Sequence, residues 1–398
     1  QTILAQRQPF TAKDVTIELR INAQGKASLY TTKADKVLKS IPAKLRKAPE
    51  VLALKARVKP LQEQYRRTRR TLEQMLVDAT PFQQEELALL LQHPVVAPQL
   101  QKMVGKSQDQ LGFFRPSGLS DTEGQVHPYG AWTILVHSHD LYVSSDWTAY
   151  QQYCFDHQVA QPVKQIFRAL YVPTADELRE KVRSSRYAGH QVQPSKTVAL
   201  LKGRGWTVDY DEGLQRVYHQ ERLVAHLYAA ADWYTPADIE APTLETIEGR
   251  HLDTGERGAW SDLPPRLFSE LMRDIDLVVS VAHVGEVDPE ASQSSVEMRA
   301  ALVEQTARLF RLDNVRVKGR HVLIDGTHGT YTVHLGSALV QLMPGRALSI
   351  IAVQSQHRGR LFLPFVDDDP RAAELLSKVL LLAKDQEILD PSILGQLA

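Results

Sequence analysis

Residues 315–342, VRVKGRHVLIDGTHGTYTVHLGSALVQL, carry the strongest fold signal in this chain. Apolar and polar residues alternate along the stretch and glycine-containing turns interrupt it, which is the pattern of antiparallel strands joined by short turns. With the segments that follow, the sequence predicts consecutive antiparallel strands at 315–325, 330–342, 347–355 and 360–365. Helices must then cover the apolar face of this meander.

The turn between the first two strands fixes their register. A two-residue loop at Thr327-His328 brings His321 on one strand opposite His334 on the next. Alternation puts both histidines on the face away from the core, within side-chain reach of each other. Such a pair could hold a metal or an anion, or act as an acid–base couple. It could equally be a tolerated feature of an exposed sheet face, because a shift of one residue separates the rings.

The N-terminal part predicts a β-hairpin followed by helices. The segments VTIELRI and KASLYTT alternate on either side of the turn NAQG. A long helix follows, whose apolar face recurs every three or four residues, at Val58, Leu61, Tyr65, Thr68, Leu72 and Met75. Thr80-Pro81 predicts the start of a second helix, with Thr as N-cap. The two helices are expected to pack as a helical hairpin in a small bundle.

The remaining chain predicts a mixture of short strands and helices, which makes the whole a multidomain α+β fold. The predicted elements are a boundary region rich in Gly, Ser, Asp and Pro at 105–130, a mostly helical stretch at 147–171, a helix ending at Gly203 or Gly205, short antiparallel strands at 206–229, a loop at 232–265, a buried strand at 276–282, and helices at 295–311 and 370–384. The expected domains are 1–110 (β-hairpin and basic helical hairpin), 111–265 (mixed α+β) and 266–398 (antiparallel sheet with packing helices).

Composition excludes several classes of protein. Cys154 is the single cysteine, which excludes an internal disulfide framework and a multi-cysteine zinc site. No apolar run approaches the roughly 20 residues that span a bilayer, and no signal-peptide pattern opens the chain. A soluble, cytoplasmic protein is expected, without a metal and with no cofactor identified. Because the chain begins at Gln1 and runs at once into a strand-like pattern, we expect it to be a segment of a larger polypeptide.

Charge is balanced overall but not along the chain. The formal net charge is zero, yet residues 1–78 hold 17 Lys and Arg against 7 Asp and Glu, an excess of +10. Such an excess can attract an anionic partner, or it can be a solvated helix face near the chain's own acids. Nucleic-acid binding through the basic residues 33–70 is possible on this pattern but not favoured, and the expected partner is a protein or an anionic small molecule.

Several phrases in order resemble one family of bacterial proteins. They include KSIPAKLRK, LLLQHPVVAP, QPVKQIFRALYVPT, SRYAGH, LLKGRGW, DLVVSVAHVGEVDPE, DNVRVKGRHVLIDG and SQHRGRLFLPFVDDDP. Together they are similar to the C-terminal region of large molybdate-metabolism-regulator-like proteins, whose shared domain has no assigned function. The resemblance implies a regulatory role in bacteria and supplies no catalytic residue. The Trp-Gly-Arg tripeptide of some longer relatives does not occur in this sequence.

Two loops and one strand end supply the other candidate site residues. SRYAGH brings Arg186, Tyr187 and His190 together in a loop, where an arginine, a tyrosine and a histidine could grip a phosphate and a base. SQHRGR places His357, Arg358 and Arg360 at a predicted hairpin tip, as an anion clamp or as structural partners of nearby acids. His283 follows the predicted strand at 276–282, a common position for a working residue in α/β folds.

Other patterns point away from catalysis. Asp367–Asp369 precede Pro370 at a predicted helix start, where carboxylates cap a helix, so we expect them to bind no metal. The sequence has no P-loop, no GxGxxG after a strand, no HExxH and no GxSxG elbow. These absences disfavour P-loop NTPases, simple dinucleotide oxidoreductases, thermolysin-like proteases and α/β-hydrolases.

Two functions fit these observations. The first is a segment of a bacterial cytoplasmic regulatory or interaction protein that acts by binding. The alternative is an enzyme acting on a phosphate-bearing, nucleotide-like substrate at a cleft between the middle and C-terminal domains. Its anion would be bound by Arg186, His190, Arg358 and Arg360, with His334 or His283 as acid–base. An enzyme needs these groups within roughly 10 Å of one another, whereas a binding protein does not.

Overall fold

The protein is described from a computed structural model, and its elements confirm a multidomain α+β fold. The structure describes residues 9–22, 26–34, 36–144, 146–209, 213–229, 231, 233–284, 293–350, 362–366 and 370–397. These residues form two compact units that are discontinuous in sequence. The first unit comprises 9–137, 144–167 and 362–366, and the second comprises 138–143, 168–350 and 370–397.

The first unit contains two antiparallel sheets and the longest helix. Its elements are β1 (Phe10–Ala12), β2 (Val15–Ile21), β3 (Ala27–Lys33), β4 (Lys36–Val37), α1 (Pro49–Asp78), β5 (Phe82–Gln83), α2 (Gln84–Leu90), α3 (Ala97–Leu100), β6 (Val104–Ser107), β7 (Gln110–Arg115), β8 (Gly118–Ser120), β9 (Val126–His127), β10 (Trp132–Leu135) and α5 (Trp147–Asp156). Between β10 and α5 the chain forms α4 (Ser138–Val143), which belongs to the second unit. The first sheet has the strand order β1-β2-β3-β4 and the second has the order β5-β10-β6-β7-β8-β9.

Helix α1 joins the cores under both sheets. The predicted hairpin is confirmed, since β2 pairs with β3, and the predicted long helix is confirmed too. The N-terminal half of α1 buries Leu54 and Leu61 against Ile17 in the first sheet, and its C-terminal half buries Leu72 beside Phe114 in the second. The second helix of the predicted hairpin is the short α2, whose Leu87 packs in the cluster of Leu72, and sheets rather than a bundle cover the rest of the apolar face of α1.

The second helix starts later than predicted. Thr80 and Pro81 lie in an extended segment that leads into β5, and α2 begins at Gln84 with Gln83 as N-cap. Phe82 explains the delay. Its ring is buried against Phe114, at 5.9 Å between centroids, which holds the backbone extended as a sheet edge before the chain can turn into a helix.

Residues 105–130, rich in glycine, hold strands β6 to β9. The glycines serve close packing of these strands. A Cβ atom added at Gly105 would lie 2.5 Å from the Phe114 ring, and one at Gly112 would lie 2.6 Å from the backbone of Ser120. Glycine in a strand often marks such a close approach.

The helical prediction for 147–171 is right only as far as α5. After Asp156 the chain is irregular, and buried amide side chains replace helical hydrogen bonds. Gln165 Nε2 donates to the carbonyls of Val104 and Val136, at 2.7 and 2.8 Å. Cys154 is buried in α5, and burial raises the pKa of its thiol to about 12.

The segment 362–366 completes an aromatic cluster of the first unit. The Phe155 and Phe362 rings lie 5.6 Å apart, and those of Phe167 and Phe365 lie 6.4 Å apart. Phe365 also forms a parallel bridge with Gln161. The prediction of a fourth meander strand at 360–365 is therefore wrong for its described residues.

The second unit contains two further antiparallel sheets. The elements of this unit, besides α4, are α6 (Ala175–Glu180), β11 (Arg183–Ser184), α7 (Pro194–Lys202), β12 (Thr207–Asp209), β13 (Gly213–Tyr218), β14 (Leu223–Ala229), β15 (Leu244–His251), α8 (Pro265–Ala282), α9 (Gln293–Phe310), β16 (Val315–Lys318), β17 (His321–Gly326), β18 (Gly329–His334), β19 (Val340–Leu342), β20 (Arg346–Leu348), α10 (Pro370–Leu382) and α11 (Pro391–Leu397). The strand orders of the two sheets are β11-β15-β14-β13-β12 and β16-β17-β18-β19-β20.

The predictions for the middle of this unit are mixed. The helix ending at Gly203 and the short antiparallel strands after it are confirmed. The predicted loop at 232–265 is wrong at its centre, where β15 pairs along β14. The predicted strand at 276–282 is wrong, because these residues are the last two turns of α8. Its β-branched residues suggested a strand, but apolar residues recur at helical spacing along the whole of α8 and are buried there.

The C-terminal meander is confirmed in order over 315–348 and in the register of its first hairpin. Ile324 pairs with Tyr331, and His321 pairs with His334, as the two-residue loop requires. The two long predicted strands are each divided by a turn, and the third is described only as β20 and the two residues after it. Asp385 fastens the loop, since its buried carboxylate accepts hydrogen bonds from Thr327 Oγ1 and Tyr331 Oη, both at 2.8 Å, and from the backbone N–H of His328 at 3.1 Å. Among the helices of the described residues, none is long and apolar enough to cross a bilayer.

Candidate functional site

The predicted histidine pair exists on the solvent face of the C-terminal sheet. The rings of His321 and His334 are 5.0 Å apart between centroids and inclined at 60°. The backbone N–H of Ser337 donates to His334 Nδ1 at 3.1 Å, and the Ser337 hydroxyl lies 3.0 Å from the same nitrogen. No group of three or more His, Cys, Asp or Glu within the described residues could hold a metal ion. The pair therefore offers at most two protein ligands to any metal.

Arg186 contributes to the internal structure of its loop. Its guanidinium donates to both carboxylate oxygens of Glu177, at 2.5 and 3.1 Å, and to the carbonyl of Val172 at 2.7 Å. It also lies over the rings of Tyr171 and Phe268, within 6 Å of each centroid. These partners give Arg186 a structural role in its loop.

Tyr187 is also internal. Its hydroxyl donates to the carbonyl of Met272 at 3.2 Å, and burial raises the pKa of the phenol well above its ordinary value. The side chain is only 6 % exposed. Tyr187 therefore ties the loop to α8 and presents no group to solvent.

His190 and His283 form a second ring pair, with centroids 5.9 Å apart. His283 follows the last residue of α8 and forms a bridge with Val192. Arg186 contacts α8 at Phe268, fifteen residues before His283. At about 1.5 Å per residue, that separation is about 22 Å along the helix axis. The loop arginine and the helix-end histidine thus do not converge on one site.

The other sequence candidates lie outside the described residues. They are His357, Arg358 and Arg360 of the predicted hairpin tip and the predicted capping carboxylates Asp367–Asp369. Their roles stay predictions.

Helix α8 carries a cluster of buried charge that the sequence did not reveal. Arg168 and Glu270 are 1 % and 2 % exposed and form a two-bond ion pair, at 2.5 and 2.7 Å. Arg273 approaches the same carboxylate at 3.5 Å. The one available signal was the presence of charged residues on a strongly apolar helix, but their partners lie far away in sequence.

Asp274, one turn further along α8, is the second centre of this cluster. Its carboxylate accepts hydrogen bonds from Arg216 and from Trp206 Nε1, the latter at 2.9 Å, and Arg204 lies 3.8 Å away. Burial raises the pKa of Asp274, while Arg216 and Arg204 favour its charged form. The arginines compensate the buried carboxylates of Glu270 and Asp274, and the cluster links α8 to Arg168 and to Arg216 of β13.

The first unit, in contrast, displays unpaired charge. We define the basic surface as the exposed lysines and arginines of residues 33–70, namely Lys33, Lys36, Lys39, Lys44, Arg46, Lys47, Lys55, Lys59, Arg66, Arg67 and Arg70. Two of them form ion pairs in the described structure, Lys33 with Asp14 at 3.5 Å and Arg67 with Glu63 at 3.3 Å.

Four of these cations form a line on α1, which we call the basic stripe: Lys55, Lys59, Arg66 and Arg70. At 3.6 residues per turn they lie within about 60° of one another around the helix and extend about 22 Å along it. Among the described residues, none of the four forms an ion pair with an acidic side chain. The buried residues Leu54, Leu61 and Leu72 lie on another side of α1. Because the core of the first unit holds that side inward, the stripe faces solvent.

Comparison with known families finds two matches. Residues 36–206 match a family described as a domain of unknown function, DUF4132, and residues 296–397 match a second, DUF7737. No curated protein and no solved structure matches the chain. The first match includes the basic surface except Lys33, the second includes the histidine pair, and α8 lies between the two matches.

Proposed function

We propose that this chain is a binding segment of a bacterial cytoplasmic regulatory protein of the molybdate-metabolism-regulator-like kind, and that it binds a polyanionic partner through the basic surface. The observation that carries the proposal is the basic stripe, four exposed cations of one sign in a line on a helix whose other side is fixed in a core.

The like charges of the stripe repel one another along α1, although Glu63, which pairs with Arg67, lies one turn from Lys59 and Arg66. Lys55 and Lys59 are four residues apart, as are Arg66 and Arg70, and each like-charged pair at this spacing destabilises a helix by about 0.2 to 0.5 kcal/mol. Solvent-facing helix surfaces usually carry both acidic and basic side chains, whose ion pairs stabilise the helix. A polyanion would remove this repulsion, which supports a binding role for the stripe.

The enzyme alternative receives less support. Its anion-binding Arg186 pairs with Glu177, and its possible base His283 follows Phe268, which Arg186 contacts, by fifteen residues or about 22 Å of helix axis. The remaining candidate base, His334, has its Nδ1 next to Ser337. A binding function needs none of these groups to meet.

The proposal is tested by heparin chromatography of the full chain. The stripe variant carries Lys55→Gln, Lys59→Gln, Arg66→Gln and Arg70→Gln. A matched control carries Lys196→Gln, Lys202→Gln, Lys318→Gln and Lys384→Gln, four exposed lysines outside the basic surface.

Both variants lose four positive charges, so net charge alone cannot separate them. We expect the wild type and the control to elute together at high salt and the stripe variant to elute well before them. Equal elution of all three proteins, or no retention of the wild type, would contradict the proposal.

A further inference from the structure

We infer that the polyanion is the phosphate backbone of a nucleic-acid duplex, held along the basic stripe without preference for base sequence. This inference rests on the proposed function, and it adds the chemical class of the partner and the way it is contacted.

The length of the stripe fits a regular line of phosphates. Over about 22 Å a duplex carries about 13 phosphates on its two strands, at one per 1.7 Å of axis, so several of them face a stripe of this length. Arg66 and Arg70 add guanidinium forks, which bind phosphate oxygens in pairs. Lys44 and Lys47 lie just before α1 and extend the positive charge beyond the helix.

The side chains available on this surface are suited to phosphates and poorly suited to bases. Sequence-independent binding of single strands uses exposed aromatic rings on which bases stack. Tyr65 is the one aromatic residue of 33–70, and it is 7 % exposed in the core of the first unit. Gln62, the amide within the stripe, accepts a hydrogen bond from the backbone of Ala27. Binding therefore depends on backbone charge, which a duplex presents at the highest density.

A membrane surface fits less well. Helices that bind bilayers insert an apolar face between the lipids. The apolar face of α1 is already covered, since Leu54, Leu61 and Leu72 are each at most 3 % exposed. The exposed side of α1 carries one large apolar side chain, Leu52, among its charges, which is too little for insertion between lipids.

The decisive measurement is the salt dependence of binding to a labelled duplex of about 20 base pairs, followed by fluorescence anisotropy. The logarithm of the affinity should fall linearly with the logarithm of the salt concentration, at about 0.9 per phosphate contact. Removing four contacts should therefore make the slope of the stripe variant shallower by about 3.6 and weaken its binding at low salt. The control variant should keep the slope and affinity of the wild type. Two duplexes of unrelated sequence should bind about equally.

Competitors distinguish the possible partners. Unlabelled duplex should displace the labelled duplex, whereas oligo(dT) of the same length, poly-glutamate and phosphatidylserine vesicles should compete at least tenfold less well. Retention on heparin without duplex binding, or better competition by any of these three, would overturn the duplex while leaving a polyanion partner in place. Absence of stripe-dependent retention on heparin would overturn both proposals. Duplex binding with an unchanged slope in the stripe variant would overturn the role of the stripe.

Discussion

Replacement of Asp385 by alanine should loosen the β17–β18 hairpin in a way that can be calculated from its contacts. The carboxylate accepts hydrogen bonds from Thr327 Oγ1, Tyr331 Oη and the backbone N–H of His328. Thr327 and His328 are exposed, so water can replace the carboxylate there at a cost of about 1 kcal/mol in total. Tyr331 is fully buried, and its hydroxyl would be left without an acceptor at a cost of about 2 kcal/mol. The sum is about 3 kcal/mol.

Hydrogen exchange of the backbone amides of β17 and β18 is the assay, because it reports opening of this hairpin alone. At 1.36 kcal/mol per tenfold change, a loss of about 3 kcal/mol makes exchange about 150-fold faster. Tyr331→Phe removes the buried donor along with its need for a partner, so in that background Asp385→Ala should cost only about 1 kcal/mol. Exchange in Asp385→Ala within threefold of the wild type would refute the assignment of these bonds to the stability of the hairpin.

Acid should weaken the same hairpin. The hydrogen bonds from Thr327, His328 and Tyr331 outweigh the effect of burial and hold the pKa of Asp385 below its ordinary value. The unfolded chain therefore binds the proton more readily, and the contribution of Asp385 is complete above its unfolded pKa of about 3.9 and is lost as the pH falls through the lower folded pKa. Asp385→Asn has no titrating carboxylate, so its exchange should lack this acid-dependent step. An acid-dependent step of equal size in the Asn variant would assign it to another group.

Three further predictions concern the buried groups. Glu270→Gln should lower the free energy of unfolding of the second unit in urea by about 3 to 5 kcal/mol, because it leaves Arg168 buried without its counter-charge; a loss below 1 kcal/mol would contradict the ion pair's role. Arg186→Ala should destabilise the same unit by about 2 to 3 kcal/mol, since it removes a charged partner of the buried Glu177. If the free energy of unfolding in urea does not change, Arg186 has no structural role and is again a candidate for binding a ligand. Cys154 should not react with a thiol reagent in the native protein at pH 8 and should react at once in urea, because its buried thiol has a pKa of about 12; rapid native labelling would show that α5 opens.

The elements that sequence predicted well are those whose signals are local. The loop at Thr327-His328 sets the register of its own hairpin, so the contact of His321 with His334 could be derived from alternation alone. The long helix followed from apolar spacing over many turns. Where a signal had two physical meanings, the prediction was wrong or incomplete. The β-branched end of α8 also fits a strand, and the glycine at position 112 is needed for strand packing although glycine is typical of linkers.

The candidate site was harder to predict because its state depends on distant partners. Glu177 meets Arg186 within one short segment, but Glu270 meets Arg168 across 102 positions, and no local pattern encodes that pair. The sequence shows an arginine, and only the fold shows whether it is neutralised. The basic surface was visible as a charge excess, yet its value as a binding surface depends on which cations are exposed and on which side of α1 they lie.

The discontinuity of the first unit has a consequence for its synthesis. Phe362 and Phe365 complete the aromatic cluster of Phe155 and Phe167, but the ribosome adds Phe362 only 195 positions after Phe167. At about 5 to 20 residues per second, the nascent first unit waits about 10 to 40 s with part of that cluster uncovered. During this interval most of the second unit emerges, so the first unit is completed only shortly before the second, whose last segment is 370–397. A chaperone that shields aromatic surface, or slow translation of the last third of the gene, would therefore affect the yield of the N-terminal unit.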